Sequence, residues 1–422
     1  MKNYQINNFE EKLYYKKLEN GLEVFFVPMK TKQNFSCMYA VKYGGRDINF
    51  KINENFVKTP TGIAHFLEHK MFERENDPFK FYQKFGTDVN ASTSSDYTGY
   101  YFVGNKSFEK NLKYILKWLQ KLEITEAQVK KEQGIILEEA SMYKDNPDRV
   151  LYNKIKENIF INDPSKNKVI GTDEDIVKIT KEELELCFKN FYTPDNMYLI
   201  ATGNINPEKA ISIIEEETSN LTKNINKIEK VYTKEPNNVA KEYEEIKMNV
   251  EIPKVALAYK MPKDNFKHLQ ITPFELDIYL HSLLSIGLGT TSRIREKWLE
   301  ENLFSSSMYR IYEIESHYVI ELYANTNKSE KLIESLKEYI KDIKIDEESF
   351  EREKKLWIAN EIRTIDSPVN SLYSILDDLL DYNKVIPNKI EIIKKLKYST
   401  LEEVKKSLSF NNIAIVKVVP NN

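Results

Sequence analysis

The chain has 422 residues, more than one hydrophobic core usually serves, so two domains of about 200 residues each are expected. Lys and Arg number 62 against 65 Asp and Glu, a net charge of −3, and so even a balance excludes nucleic acid or an anionic membrane as the main partner. Cys37 and Cys187 are the only cysteines, which excludes a disulfide framework or a four-thiolate metal site; with no apolar run near the N-terminus and none of about 18 residues anywhere, a soluble, cytoplasmic protein is expected.

Residues 16–28 predict a hairpin, with Asn20-Gly21 supplying a tight turn, and residues 35–43 predict a further strand closed by Gly44-Gly45. A charged loop then leads into TGIAHFLEHKMFE, residues 61–73, a helix for which Thr61 is the expected N-cap. His65 and His69 lie four apart, so their imidazoles project from one face and can converge on a single ion. Glu68 shares that face and stands where a carboxylate can take a proton from an attacking water, the H-x-x-E-H arrangement. The bland alternative is two ordinary histidines on a half-buried helix. The chain has only five histidines, which makes two of them in this motif informative.

Residues 78–85 predict a short helix ended by Gly86, and residues 88–103, DVNASTSSDYTGYYFV, predict a strand rich in Thr, Ser and Tyr. At a sheet edge facing the metal, such a strand would offer its amides and carbonyls to an extended peptide; an ordinary amphipathic edge strand is the plain alternative. Residues 108–122 read as a core-packing helix, with Leu112, Ile115, Leu116 and Leu119 at helical spacing. Residues 125–159 read as one long helix or two, with a break at Pro147. A catalytic zinc takes three protein ligands and keeps one position open, so a distant carboxylate must join the two imidazoles. Glu138 and Glu139 are adjacent candidates on this helix and only one can face the metal; Glu132 lies two turns before Glu139 on nearly the same face.

A helix over 181–190, a strand over 197–202 and a helix over 206–221 complete an N-terminal domain, residues 1–221. Residues 222–249, rich in Lys, Glu and Asn, are expected to be the linker, and residues 250–422 the second domain. There a strand over 255–261, a helix over 273–283 broken by Gly287-Leu288-Gly289, a helix over 292–302, strands over 309–313 and 318–324, helices over 329–343 and 347–380 interrupted at Pro368, and a last strand over 413–419 follow the order of the first half. The fold class expected is α+β: two homologous domains from an internal duplication, each a mainly antiparallel sheet with helices on one face, the first alone keeping the metal motif.

The segments GIAHFLEHKMFE, NASTSSDYTGYYF, KEQGIILEEASMYKDNPD and FYTPDNMYL resemble, in that order and spacing, those of the pitrilysin and mitochondrial-processing-peptidase family of zinc metallopeptidases, the inverzincins. The resemblance covers essentially the whole chain. It implies His65, His69 and Glu139 as ligands of one Zn²⁺ per chain, Glu68 as general base, Glu132 as a supporting acid for catalysis, and Asn90, Ala91, Ser92 and Thr93 as the strand that binds substrate backbone. Nitrogen and oxygen donors also accept Mn²⁺ or Co²⁺. Single-chain members carry in their second half an Arg and, seven residues later, a Tyr that hold substrate. After Ser292-Arg293-Ile294 those positions fall near Leu299 and near Ser305 or Ser306, so both are absent. The resemblance therefore implies a zinc-dependent endopeptidase for short unfolded peptides in a chamber, the catalytic half of a heterodimer with a metal-free homologous subunit, ahead of a homodimer. It leaves open peptide maturation against general peptide turnover. The alternatives are a non-catalytic binding subunit of a peptidase complex and, more remotely, a structural zinc site.

Overall fold

The computed structural model describes residues 1–74 and 76–421. The chain divides into two compact units that interleave along the sequence: Met1–Ala140, Lys168–Val231 and Asn360–Lys389 form the first, and Ser141–Asn167, Tyr232–Ala359 and Ile390–Asn422 the second. The contiguous ranges 1–221 and 250–422 read from the sequence therefore do not follow the packing.

The first unit holds strands β1 (Lys2–Gln5), β2 (Lys12–Lys17), β3 (Glu23–Pro28), β4 (Phe35–Val41), β5 (Asn49–Ile52), β6 (Asn55–Lys58), β7 (Asp88–Thr93), β8 (Thr98–Gly104), β9 (Met197–Gly203) and β10 (Ile228–Lys230). Seven form one sheet in the order β1-β2-β3-β9-β4-β8-β7, antiparallel except where β3 runs parallel to β9; β10, β5 and β6 form a small separate sheet. The central strands β4 and β9 are buried along their whole length, which explains their unbroken apolar runs. Alternate side chains face opposite ways, so Met38, Ala40, Tyr198 and Ile200 point to one face. There they pack on Leu372, Ile375, Leu376 and Leu379 of the helix Pro368–Tyr382. Each such apolar side chain, fully buried, contributes roughly 1.5–3 kcal/mol. On the opposite face Phe35 and Phe102 meet Phe108 of the helix Phe108–Trp118, and Tyr100 meets Trp118. Helices thus cover both faces of this sheet.

The second unit repeats the pattern with β11 (Tyr243–Met248), β12 (Lys254–Pro262), β13 (Ser306–Glu313), β14 (His317–Asn325) and β15 (Ile413–Pro420), in the order β11-β15-β12-β14-β13. Its single parallel pair, β11 with β15, corresponds to β3 with β9, and its edge strand β13 corresponds to β7. Leu151, Ile155 and Ile159 of the helix Pro147–Ile159 pack on Ala256, Val319, Ala414 and Val416. Each unit therefore takes one sheet-covering helix from the other half of the sequence, a reciprocal exchange.

Several local expectations are corrected. Residues 88–103 form a hairpin, β7 and β8, because Ser94 closes a turn: its amide donates to the Tyr97 carbonyl at 2.8 Å and its hydroxyl accepts from the Asp96 amide at 3.2 Å. The segment expected as a linker is ordered into β10 and β11, each paired in a sheet. The helix Pro273–Leu288 runs through Gly287 and stops at Gly289, whose amide bonds the Ser285 carbonyl. Among the described residues no helix is long and apolar enough to cross a membrane.

Candidate metal centre

The motif helix is Ile63–Phe72, and its start is set by backbone, not by the expected Thr61 cap. Gly62 takes φ +89° at the N-cap position, and a Cβ there would lie 2.4 Å from the Ile170 carbonyl oxygen. Thr61 instead turns its hydroxyl to Asp175, donating at 2.6 Å, and accepts from the Thr172 amide at 3.2 Å. Phe66, Leu67 and Met71 are buried on the core side, leaving His65, Glu68 and His69 on the opposite flank.

The third carboxylate comes from the helix Glu126–Lys144, and a new helix begins at Pro147, so the expected break is present. Gln133 docks this helix by donating to the carbonyls of Val177 and Ile179, both at 3.1 Å. Glu139 then faces the imidazoles, with Oε2 at 3.8 Å from His65 Nε2 and 3.6 Å from His69 Nε2, while Glu138 is exposed. One donor atom from each of His65, His69 and Glu139 lies within 4.8 Å of the other two, the one such group able to hold a metal ion among the described residues. A tetrahedral ion with bonds of 2.0–2.1 Å needs donor separations of about 3.4 Å, so small side-chain adjustments suffice and the residues fit zinc.

Glu132 sits behind this group. Its Oε1 lies 3.0 Å from His69 Nδ1, and Lys70 Nζ approaches Oε2 at 3.4 Å. Lys70 is fully buried, also bonds Glu73, and Lys131 meets Glu73 at 3.3 Å. This relay directs His69 Nε2 toward Glu139. Burial lowers the affinity of His69 for a proton, but the Glu132 hydrogen bond and charge outweigh it and hold His69 above its ordinary range. His65 is pushed down to about 4, first by burial and then by His69 beside it; its Nδ1 is buried and has no hydrogen-bond partner among the described residues. Burial raises Glu68 above the usual carboxylate range, against a lowering hydrogen bond from Thr93.

Thr93 lies on β7, which pairs with β8 on one side only and forms the edge of the sheet beside the motif helix. Asn90 is exposed and Ala91, Ser92 and Thr93 half-buried along that rim. The structure thus brings together His65, His69 and Glu139, sets Glu68 and Thr93 against each other, and puts Glu132 in support. The sequence reading missed Lys70 and the Thr93–Glu68 hydrogen bond, for which nothing in the local pattern was a signal. In the second unit the helix Pro273–Leu288 occupies the place of the motif helix, and His281, Leu284 and Ser285 stand at the spacing of His65, Glu68 and His69. Buried Glu353 there stands close enough to Ser285 for the hydroxyl to favour its ionised form, a counterpart of Glu132 beside His69. That correspondence was readable as HSLLS beside HFLEH.

A fold of two matched α+β units with an H-x-x-E-H helix defines a class of metallopeptidase. The family model described as insulinase, peptidase family M16, matches residues 57–173, and that described as the peptidase M16 inactive domain matches residues 178–356. The chain is 31% identical over 435 residues to the uncharacterized zinc protease YmfH of Bacillus subtilis, covering 100% of this chain and 99% of that protein. It is 27% identical over 166 residues to the mitochondrial-processing peptidase subunit beta of Neurospora crassa, covering 38% of this chain and 35% of that one. An M16-like peptidase from Alicyclobacillus acidocaldarius superposes with a TM-score of 0.91 at 27% identity, over 99% of this chain and 100% of that one. The chain belongs to the M16 peptidases, the insulinase and pitrilysin family.

Proposed function

We propose that this chain is a zinc-dependent endopeptidase acting on short unfolded peptides, with one zinc per chain held by His65, His69 and Glu139. The observation that carries this reading is the convergence of those three donors beside Glu68, whose half-buried carboxylate is held by the Thr93 hydroxyl. When bound, the metal supplies a Lewis acid that polarises the scissile carbonyl. Glu68 takes a proton from the attacking water and returns it to the leaving amine; its raised proton affinity suits a group that must hold that proton between the two transfers. Glu132 orients His69, and the free rim of β7 at Asn90, Ala91, Ser92 and Thr93 receives the peptide backbone by strand addition.

The chain is further read as the catalytic subunit of a heterodimer with a metal-free homologue. Leu299 and Ser305 or Ser306 stand where an Arg and a Tyr for substrate would be expected, and one relative is itself named as a subunit. The test is cleavage of a fluorogenic unfolded peptide of about ten residues by the zinc-loaded chain and its Glu68→Gln variant. Activity requiring zinc and falling by a factor of about 10²–10⁴ in the variant, with zinc still bound, supports the base role. Turnover by the chain alone at rates typical of an enzyme, about 1 s⁻¹ or more, overturns the need for a partner.

A further inference from the structure

On one face of the second unit's sheet, the edge strand β13 meets the helix Pro147–Ile159. Arg310 and Tyr312, two apart on β13, point to that face. Arg310 lies opposite Glu321 of β14, but Glu321 is fully buried and its two oxygens accept hydrogen bonds from Tyr312 at 2.7 Å and Tyr323 at 2.8 Å. The Arg310 guanidinium instead lies over the Tyr152 ring at 5.1 Å and the Tyr312 ring at 5.9 Å. Lys156 lies over the same rings at 4.6 and 5.6 Å. Among the described residues neither cation has a carboxylate within ion-pair distance. Burial pushes the Tyr152 hydroxyl up, yet Lys156 and Arg310 together hold it below its ordinary range, which reports how positive this corner is.

Tyr152 and Arg310 line a cavity of about 400 Å³, whose wall also includes Leu151, Met308 and Ala324. Asp148, the one acidic residue on that wall, is paired with Lys254 at 2.8 Å. The cavity therefore joins a planar forked donor, a second cation behind it and an apolar wall. A forked guanidinium matches a carboxylate with two parallel hydrogen bonds, and stacked aromatic rings hold it flat for that purpose. The apolar wall suits the aliphatic part of a peptide. We propose that this cavity binds a peptide carboxylate, with Arg310 as the forked donor and Lys156 and the Tyr152 hydroxyl supporting it. The choice of a peptide as ligand rests on the peptidase reading; the carboxylate comes from a C-terminus or from an acidic side chain.

The test uses the full zinc-loaded chain carrying Glu68→Gln, so that nothing is cleaved. Fluorescence anisotropy compares three labelled decapeptides with otherwise uncharged side chains: a free C-terminal acid, its C-terminal amide, and the amide with one internal glutamate. The free acid or the glutamate peptide, whichever is the source, should bind about tenfold more tightly than the plain amide, the scale of a charge-assisted hydrogen bond. Arg310→Gln should abolish that gap and Arg310→Lys should keep part of it, with zinc content and melting temperature retained. If Arg310→Gln does not fold, Lys156→Gln serves instead and should narrow the gap. Equal affinities for all three peptides, a gap that survives Arg310→Gln, or a gap unmoved by Lys156→Gln would overturn the proposal. A failure of the peptidase reading would appear as no cleavage by the unsubstituted chain, a result independent of these affinities.

Discussion

Replacing Glu132 by Gln separates a supporting role from a merely structural one. The substitution keeps the side chain's shape and leaves an amide oxygen to accept from His69 Nδ1 across the present 3.0 Å, but it removes the negative charge. A hydrogen bond to a charged group contributes about 1.5–3 kcal/mol and a neutral one about 1 kcal/mol, and partners behind metal-ligating histidines typically account for about 10–100-fold in metal affinity. The expected outcome is zinc binding weaker by that factor, about 1.4–2.7 kcal/mol, read by competition with a chromogenic chelator at pH 7.5. The sign of the pH dependence adds a second readout. Burial opposes protonation of His69, but Glu132 outweighs it and holds the ring above its ordinary range; a proton and zinc compete for Nε2, so loss of the charge should move the pH midpoint of zinc binding down. Glu132→Ala should in addition lower the melting temperature by several degrees, because among the described residues buried Lys70 then keeps Glu73 alone as a carboxylate partner. A folded Glu132→Gln protein that binds zinc as tightly as the parent, with an unmoved pH midpoint, would refute the reasoning.

Thr93→Val removes the hydroxyl that donates to Glu68; burial already raises that carboxylate and the hydrogen bond opposes the rise, so the acid limb of kcat/KM should move to higher pH, and a limb that stays put or moves down would contradict it. In the second unit Glu235 accepts from the amides of Ile161, Asn162 and Asp163 at 2.9, 2.7 and 2.7 Å and from buried Lys260. Burial raises its pKa, but the Lys260 and amide hydrogen bonds outweigh that and hold it below the ordinary value of 4.5, so this stability is present above about pH 4.5 and is lost as pH falls through the folded-state value. Glu235→Gln removes the ion-pair partner of buried Lys260 and should cost about 3–5 kcal/mol at neutral pH. Thermal melts should show that deficit shrinking as the pH is lowered below about 4.5; a deficit constant with pH would argue that only packing was lost.

The sequence carried the local half of the site and missed the tertiary half for physical reasons. His65, Glu68 and His69 were legible because one helix sets their spacing and no distant contact is needed to bring them to one flank. The exchanged helices Pro147–Ile159 and Pro368–Tyr382 were legible as amphipathic helices, but an apolar stripe reads the same whichever sheet it covers, so their partners were not. Strand β11 was hidden inside a supposed linker because only every other residue is half-buried along this parallel edge strand, leaving a polar composition. The choice between Glu138 and Glu139 was left open by the local sequence, where Ile135, Ile136 and Leu137 are all apolar, and follows from the face of the helix that is buried. Val129, Gln133, Ile136 and Ala140 are the buried stripe of their helix, with Glu132 beside them. At about 100° per residue Glu138 lies roughly 200° round from Ile136 and so faces away, whereas Glu139 lies within about 60° of it, at the margin of the buried face. Docking that stripe, which Gln133 fixes by its two carbonyl contacts, necessarily turns Glu139 inward and leaves Glu138 in solvent.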